Sequence, residues 1–246
     1  MPIYAIGDIH GQLDMLRAAH DLIAQDRKVC GAETAPVIHL GDYCDRGPDS
    51  AGVIQFLIDG IAAKEPWRVV LGNHDRLFRD FLSDMRVTDS RLRSDLTWLS
   101  ARMGGRETLE SYGITDFDSR PMGRFHTEAV QKIPVAHRQF LAGLETSIET
   151  DDQIFVHAGI RPGVPMQDQV EDDLVWIRQE FLTDTRDHGK LVVHGHTAVD
   201  DPMHCGNRVN LDSGAGYFRP LTPAVFEARE CWVLGPTGRV PLLPQP

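Results

Sequence analysis

Five times along the chain a short apolar run ends in a glycine-bearing cluster of Asp, Asn or His, and this recurrence is the strongest constraint on the fold. The clusters are Gly7-Asp8-Ile9-His10-Gly11, the loop 41–47, Gly72-Asn73-His74-Asp75, His157-Ala158-Gly159 and His194-Gly195-His196-Thr197. The runs before them, such as Ile3-Tyr4-Ala5-Ile6 and Trp67-Arg68-Val69-Val70-Leu71, read as buried strands. Helical spacing of Leu13, Leu16, Leu22 and Ile23 predicts a helix over residues 12–26, and Pro48 opens a second over 49–63. Alternating strands and helices imply a parallel sheet with ligands gathered at the carboxyl ends of its strands.

The loop Gly41-Asp42-Tyr43-Cys44-Asp45-Arg46-Gly47 is the centre of this pattern. Two carboxylates and a guanidinium at the end of a buried strand are costly unless they bind something. We read Asp42 as bridging two metal ions, Asp45 as orienting a catalytic His, and Arg46 as gripping a phosphate. Metals of the Mn, Fe and Zn kind take imidazole nitrogen and carboxylate oxygen together. On extended backbone Asp8 and His10 would point the same way and reach one metal. Asn73, His157 and a His near 194–196 would complete a second. Two metals roughly 3.5–4 Å apart can activate a water and clamp a phosphate.

Residues 76–145 are mostly helical in pattern, with Leu77, Phe78, Phe81 and Leu82 on one apolar face and Leu92, Leu96 and Leu99 on another. We expect a helical cap there, within one domain spanning 1–246. Residue types typical of strands dominate after 146, beginning with a hairpin around Thr150-Asp151-Asp152. The C-terminal Pro-Leu-Leu-Pro-Gln-Pro is expected at the surface. The four cysteines have no C-x-x-C spacing, which argues against a zinc ribbon or disulfide framework. Formal net charge is −11, against a general nucleic-acid binder. The start of the chain lacks the pattern of a signal peptide, and residues 53–63 are too short to span a bilayer. The expected setting is cytoplasmic, with no membrane and no nucleic-acid partner.

The order GD-x-HG, GD-x-x-DRG, GNHD, HAG and GHT resembles the phosphoprotein phosphatase (PPP) family of metallophosphoesterases, the bacterial and phage branch most closely. The resemblance covers residues 3 to about 226. It implies an α/β fold, a four-layer sandwich with two central mixed β-sheets flanked by helices. It also implies a metal-dependent serine/threonine protein phosphatase, with phosphotyrosine a further substrate. Asp8, His10 and Asp42 would hold the first metal, and Asp42, Asn73, His157 and His196 the second; manganese is expected, with iron or zinc as alternatives. His74 would be the general acid with Asp45 its partner, and water activated between the metals would attack phosphorus directly. Arg46 matches the family's phosphate-gripping Arg. Trp176-Ile177-Arg178 resembles a Trp-x-Arg segment that makes Arg178 a second grip. The segment 211–215 would pack behind the site. His194 would line the pocket or pack.

The rival reading is a symmetrical dinucleoside-polyphosphate hydrolase, a related enzyme acting on a small phosphorylated substrate; Asp45 favours the phosphatase. A phosphodiesterase or nuclease would need a final G-H-x-H, where this chain has Ala198. A non-catalytic metal-binding module would need a lost ligand or acid.

Overall fold

The computed structural model describes residues 1–86 and 89–245. One mixed sheet is built on β1 (Ile3–Ile6), β2 (Val37–His39) and β3 (Trp67–Val69), which run parallel. β9 (Ala224–Glu227), β10 (Glu230–Gly235) and β11 (Gly238–Pro241) extend it antiparallel, giving the order β11-β10-β9-β1-β2-β3. The second sheet contains β4 (Ser147–Glu149), β5 (Gln153–Val156), β6 (Leu191–His194), β7 (Met203–His204) and β8 (Arg208–Asn210), in the order β4-β5-β6-β8-β7. Its inner pairs are parallel and its outer pairs antiparallel.

Side-chain alternation sets the layers. Ala5, Ile38 and Val70 from the first sheet meet Phe155, Val193 and Val209 from the second in a buried core between the sheets. Tyr4, Ile6 and Val37 point the other way, onto α1 (Leu13–Cys30) and α2 (Ser50–Ala62) through Leu16, Ile23, Val53 and Leu57. On the far face, Ile154, Val156 and Val192 pack on Leu174, Ile177 and Phe181 of α7 (Glu171–Trp176), α8 (Gln179–Leu182) and the two-residue link between them. Helix, sheet, sheet, helix is the four-layer arrangement that the family resemblance implies.

The helical insert comprises α3 (Asn73–Ser83), α4 (Gly105–Ser111), α5 (Met122–Lys132) and α6 (Val135–Ala142). A bridge between Val70 and Glu145 closes its base. α4 and α6 pack on α2, so the insert continues the outer helical layer. Several local expectations need correction. Helix α1 runs on to Cys30, where Gly31 (φ 64°) lets the Ala32 N–H return to the Arg27 carbonyl. Leu92, Leu96 and Leu99 lie in turns, because the Asp84 and Asp89 carboxylates accept the N–H groups two residues on. The segment from Asp116 stays irregular to Pro121, and α5 begins at Met122. Strands β7 and β11 were not foreseen, and Pro241, expected in a surface tail, pairs with Trp232.

Candidate metal centre and active site

The first two loops join along their backbones. The N–H groups of Ile9 and His10 both donate to the Asp42 carbonyl, at 3.1 and 2.7 Å, and Gly11 donates to Tyr43 O at 2.9 Å. The extended geometry expected across Asp8 and His10 is absent, since His10 has φ 48°. Asp42, Asp45, Arg46 and His196 are likewise left-handed, at 53°, 72°, 66° and 66°. Nine non-glycine residues have positive φ among those described, and these five belong to the signature loops. Such strain persists only where surrounding contacts enforce it. Asp75 supplies part of that enforcement: its carboxylate accepts from Asp42 N, Tyr43 N and Gly72 N at 2.7, 2.9 and 3.0 Å.

Asp42 faces both halves of the site. Its Oδ2 lies 3.5 Å from His10 Nε2 and its Oδ1 lies 3.5 Å from His157 Nε2. His10 donates Nδ1–H to Cys44 O at 2.9 Å, and His157 donates Nδ1–H to Leu40 O at 2.8 Å. Each bond fixes a tautomer whose Nε2 lone pair points inward. Asn73 Oδ1 lies 2.9 Å from His157 Nε2 and 2.8 Å from His196 Nδ1, so these three converge with Asp42. The Asp8 carboxylate accepts the His196 N–H from the other side, at 3.0 Å. Gly195 is needed for that approach, because a Cβ there would stand 2.0 Å from Asp8 Oδ1. Two buried groups, His10/Asp42/His74 and Asp8/Asp42/His157, each place their ligand atoms within 4.8 Å of one another and share Asp42.

Charge favours cations here. Burial, then Asp212 and Asp42 beside it, hold the Asp8 carboxyl well above its ordinary range. Burial also pushes Asp212 up to about 6. Burial pushes His10, His157 and His196 down, towards the neutral form that ligates metal. Neutral imidazoles beside crowded, desolvated carboxylates fit a pair of divalent cations of the borderline kind.

His74 stands beside this centre. Its Nδ1–H donates to Asp45 Oδ2 at 2.6 Å, while Nε2 lies 3.0 Å from Arg46 Nη2. Asp45 is itself fixed from the insert: Trp98 Nε1–H donates to its Oδ2 at 2.8 Å and the Thr108 hydroxyl to its Oδ1 at 2.7 Å. Arg46 Nη1 lies 3.0 Å from His10 Nε2, and Arg178 Nε donates to His196 Nε2 at 3.1 Å. Both guanidiniums therefore project over the proposed ligands, into a cavity of about 410 Å³ that Arg102, Tyr217 and Arg219 also line. His194 does not reach it. Its imidazole is buried edge-on to Phe181, and burial pushes it down to about 3. Asp212 does line the cavity, a more direct place than packing behind it.

The sequence reading left Asp75, Trp98 and Thr108 without roles. Asp75 was visible as the last residue of GNHD. Nothing local marks the other two, which lie 53 and 63 residues from Asp45. Tyr43 donates its hydroxyl to Val70 O at 2.8 Å and so ties the loop to the strand end beside it.

A two-sheet sandwich carrying clustered Asp, His and Asn on its loop ends is the class of the metallophosphoesterases. The chain belongs to the calcineurin-like phosphoesterase family, whose profile matches residues 1–218. It is similar to the asymmetrical bis(5'-nucleosyl)-tetraphosphatase PrpE of Anoxybacillus flavithermus, with 25% identity over 92% of this chain and 90% of the relative. The PrpE of Bacillus cereus is 24% identical, over 98% and 96%. Among solved structures, a cold-active protein-tyrosine phosphatase of a psychrophilic Shewanella species shares the fold, with TM-score 0.62, 16% identity and coverage of 98% and 80%.

Proposed function

We propose that the chain hydrolyses phosphoric esters at this centre with His74 as general acid. The observation that carries the reading is Asp42, whose two carboxylate oxygens each face a different inward-pointing imidazole at 3.5 Å. Asp8, His10 and Asp42 would hold one divalent cation, and Asp42, Asn73, His157 and His196 the other, with manganese the proposed metal. Such a pair supplies Lewis acidity toward a phosphoryl oxygen and a water.

The chain's own groups do the rest. Arg46 and Arg178 bind the non-bridging phosphate oxygens with planar, charge-assisted forks. With Arg46 turned from His74 Nε2 to the phosphate, His74 would deliver a proton from Nε2 to the departing oxygen. Asp45, bonded to Nδ1–H, holds the ring in place and stabilises its charged form. An acid of this kind matters most when the leaving group is a poor one, such as the alkoxide of phosphoserine or phosphothreonine. It supports the phosphomonoesterase reading, with phosphorylated side chains of proteins as substrate.

The second reading is hydrolysis of dinucleoside polyphosphates. The name of the PrpE relatives supports it, in an asymmetrical rather than the expected symmetrical form. So does the number of arginines in the cavity. Metal-stripped protein reloaded with manganese should be compared on a phosphoserine peptide, a phosphotyrosine peptide and diadenosine tetraphosphate. Preference for the phosphoserine peptide in kcat/KM supports the first reading. A large preference for the dinucleotide replaces it with the second.

A further inference from the structure

The cavity over the Asp42 loop holds more positive charge than one phosphoryl group needs. Four arginines line it, Arg46, Arg102, Arg178 and Arg219, in a chain of formal charge −11. The inner two approach the imidazoles of His10, His74 and His196. Arg102 and Arg219 bond to none of them. Elsewhere in the chain arginines are typically paired with acids, as Arg76 is with Asp89 and Asp172, and Arg161 with Asp173. Exposed Arg102 makes no ion pair or hydrogen bond among the described residues. Arg219 has Asp200 as its only acidic partner there, and that side chain is 95% exposed. The Nε atoms of Arg46 and Arg219 are both buried without a hydrogen-bond partner.

Tyr217 links the inner and outer charges. The Arg46 guanidinium lies 5.2 Å from its ring centroid and that of Arg219 5.9 Å. Tyr217 is nonetheless 60% exposed, so part of its ring is open to a ligand at the rim. The insert adds Arg102 and buried Met103 to the lining. We propose that Arg219, beside Tyr217, and Arg102 from the insert form a second anion subsite in this cavity that takes the distal phosphates of a nucleoside oligophosphate. The inference rests on the second of the two readings above, with Arg46 and Arg178 as the grip on the phosphate that is cleaved.

Linked phosphates match the arrangement because each carries its own charge and can meet a separate guanidinium fork. The exposed part of Tyr217 offers a stacking surface for the base at the end of such a chain. The subsite thereby makes the number of phosphates the property that the cavity selects.

The test compares Arg102→Gln, Arg219→Gln and the double variant with wild type, all loaded with manganese, on diadenosine tetraphosphate, 4-nitrophenyl phosphate and a phosphoserine peptide. The readout is selectivity, kcat/KM on the tetraphosphate divided by kcat/KM on each other substrate. We expect it to fall about tenfold or more in the double variant, mainly through KM for the tetraphosphate. Asp200→Asn, at an exposed site, frees Arg219 and should raise selectivity about twofold. Calorimetry of tripolyphosphate binding reads the subsite without turnover, and affinity should fall about tenfold in the double variant. Unchanged selectivity and unchanged tripolyphosphate affinity would overturn the proposal. So would an equal loss on the phosphoserine peptide, which would make these arginines a general anion contact. Wild type inactive on all three substrates would defeat the proposed function, while the calorimetry would still decide the subsite.

Discussion

Asp45 receives three side-chain donors, from His74, Trp98 and Thr108, so the aim of His74 depends on a tryptophan carried by the insert. Replacing His74 or Asp45 with Asn should lower kcat on an alkyl phosphate by roughly 100-fold or more. Trp98→Phe keeps an aromatic ring against Phe78 and Phe81 but removes the N–H. It should lower kcat by roughly 10-fold on an alkyl phosphate and much less on 4-nitrophenyl phosphate, whose leaving group needs little acid. Equal losses on the two substrates would show that Trp98 acts only through packing. His39 permits a prediction about stability. It is fully buried, and burial pushes its pKa down to about 4. The unfolded chain takes up a proton near the ordinary value of about 6.5 while the folded chain does not. Its contribution is therefore complete above about pH 6.5 and is lost as pH falls toward about 4. Unfolding in urea should show a loss of about 2 kcal/mol from this residue between pH 6.5 and about 5. A smaller pH slope in His39→Leu would check it. The residues that the sequence marks for the site, such as Asp42 in its loop, sit inside a local pattern. Trp98 was illegible because its partner is set by how the insert folds back.

At the scale of elements, the strand–loop–helix units were readable because apolar runs and glycine-bearing loops alternate, and each run became a strand within one or two residues. The stretch between α3 and α4 was not, because its leucines share helical spacing while its aspartates cap turns. Arg102 and Met103, near its end, nevertheless line the candidate site. Gly104 has φ 90°, and a Cβ on it would stand 2.3 Å from the Arg46 backbone nitrogen. Gly104→Ala should displace Arg46, raising KM for phosphate esters by roughly 10-fold or more and lowering the melting temperature. Wild-type KM and stability would mean that this stretch does not set the position of Arg46. Strands β7 and β11 escaped prediction for other reasons. β7 has only two residues, and β11 is interrupted by the composition of a tail, with glycine at its start and proline at its end.

Across the whole molecule, the two sheets bring loops from both ends of the chain to one place. Asp8 meets the His196 N–H across 188 residues, a contact that no local periodicity announces. The order of the motifs made the family legible all the same, since five clusters of one chemistry at strand ends have few other uses. Without cations, the buried carboxylates of Asp8, Asp42 and Asp212 crowd one another. Manganese should therefore raise the melting temperature of metal-stripped protein, in step with its occupancy. The decisive measurement is a manganese titration of metal-stripped protein, with phosphate release from 4-nitrophenyl phosphate as readout and Asp42→Asn run in parallel. The rate should climb until two ions are bound per chain, and the variant should stay near background. Full turnover without any divalent cation, or wild-type turnover in Asp42→Asn, would contradict a shared-carboxylate metal centre.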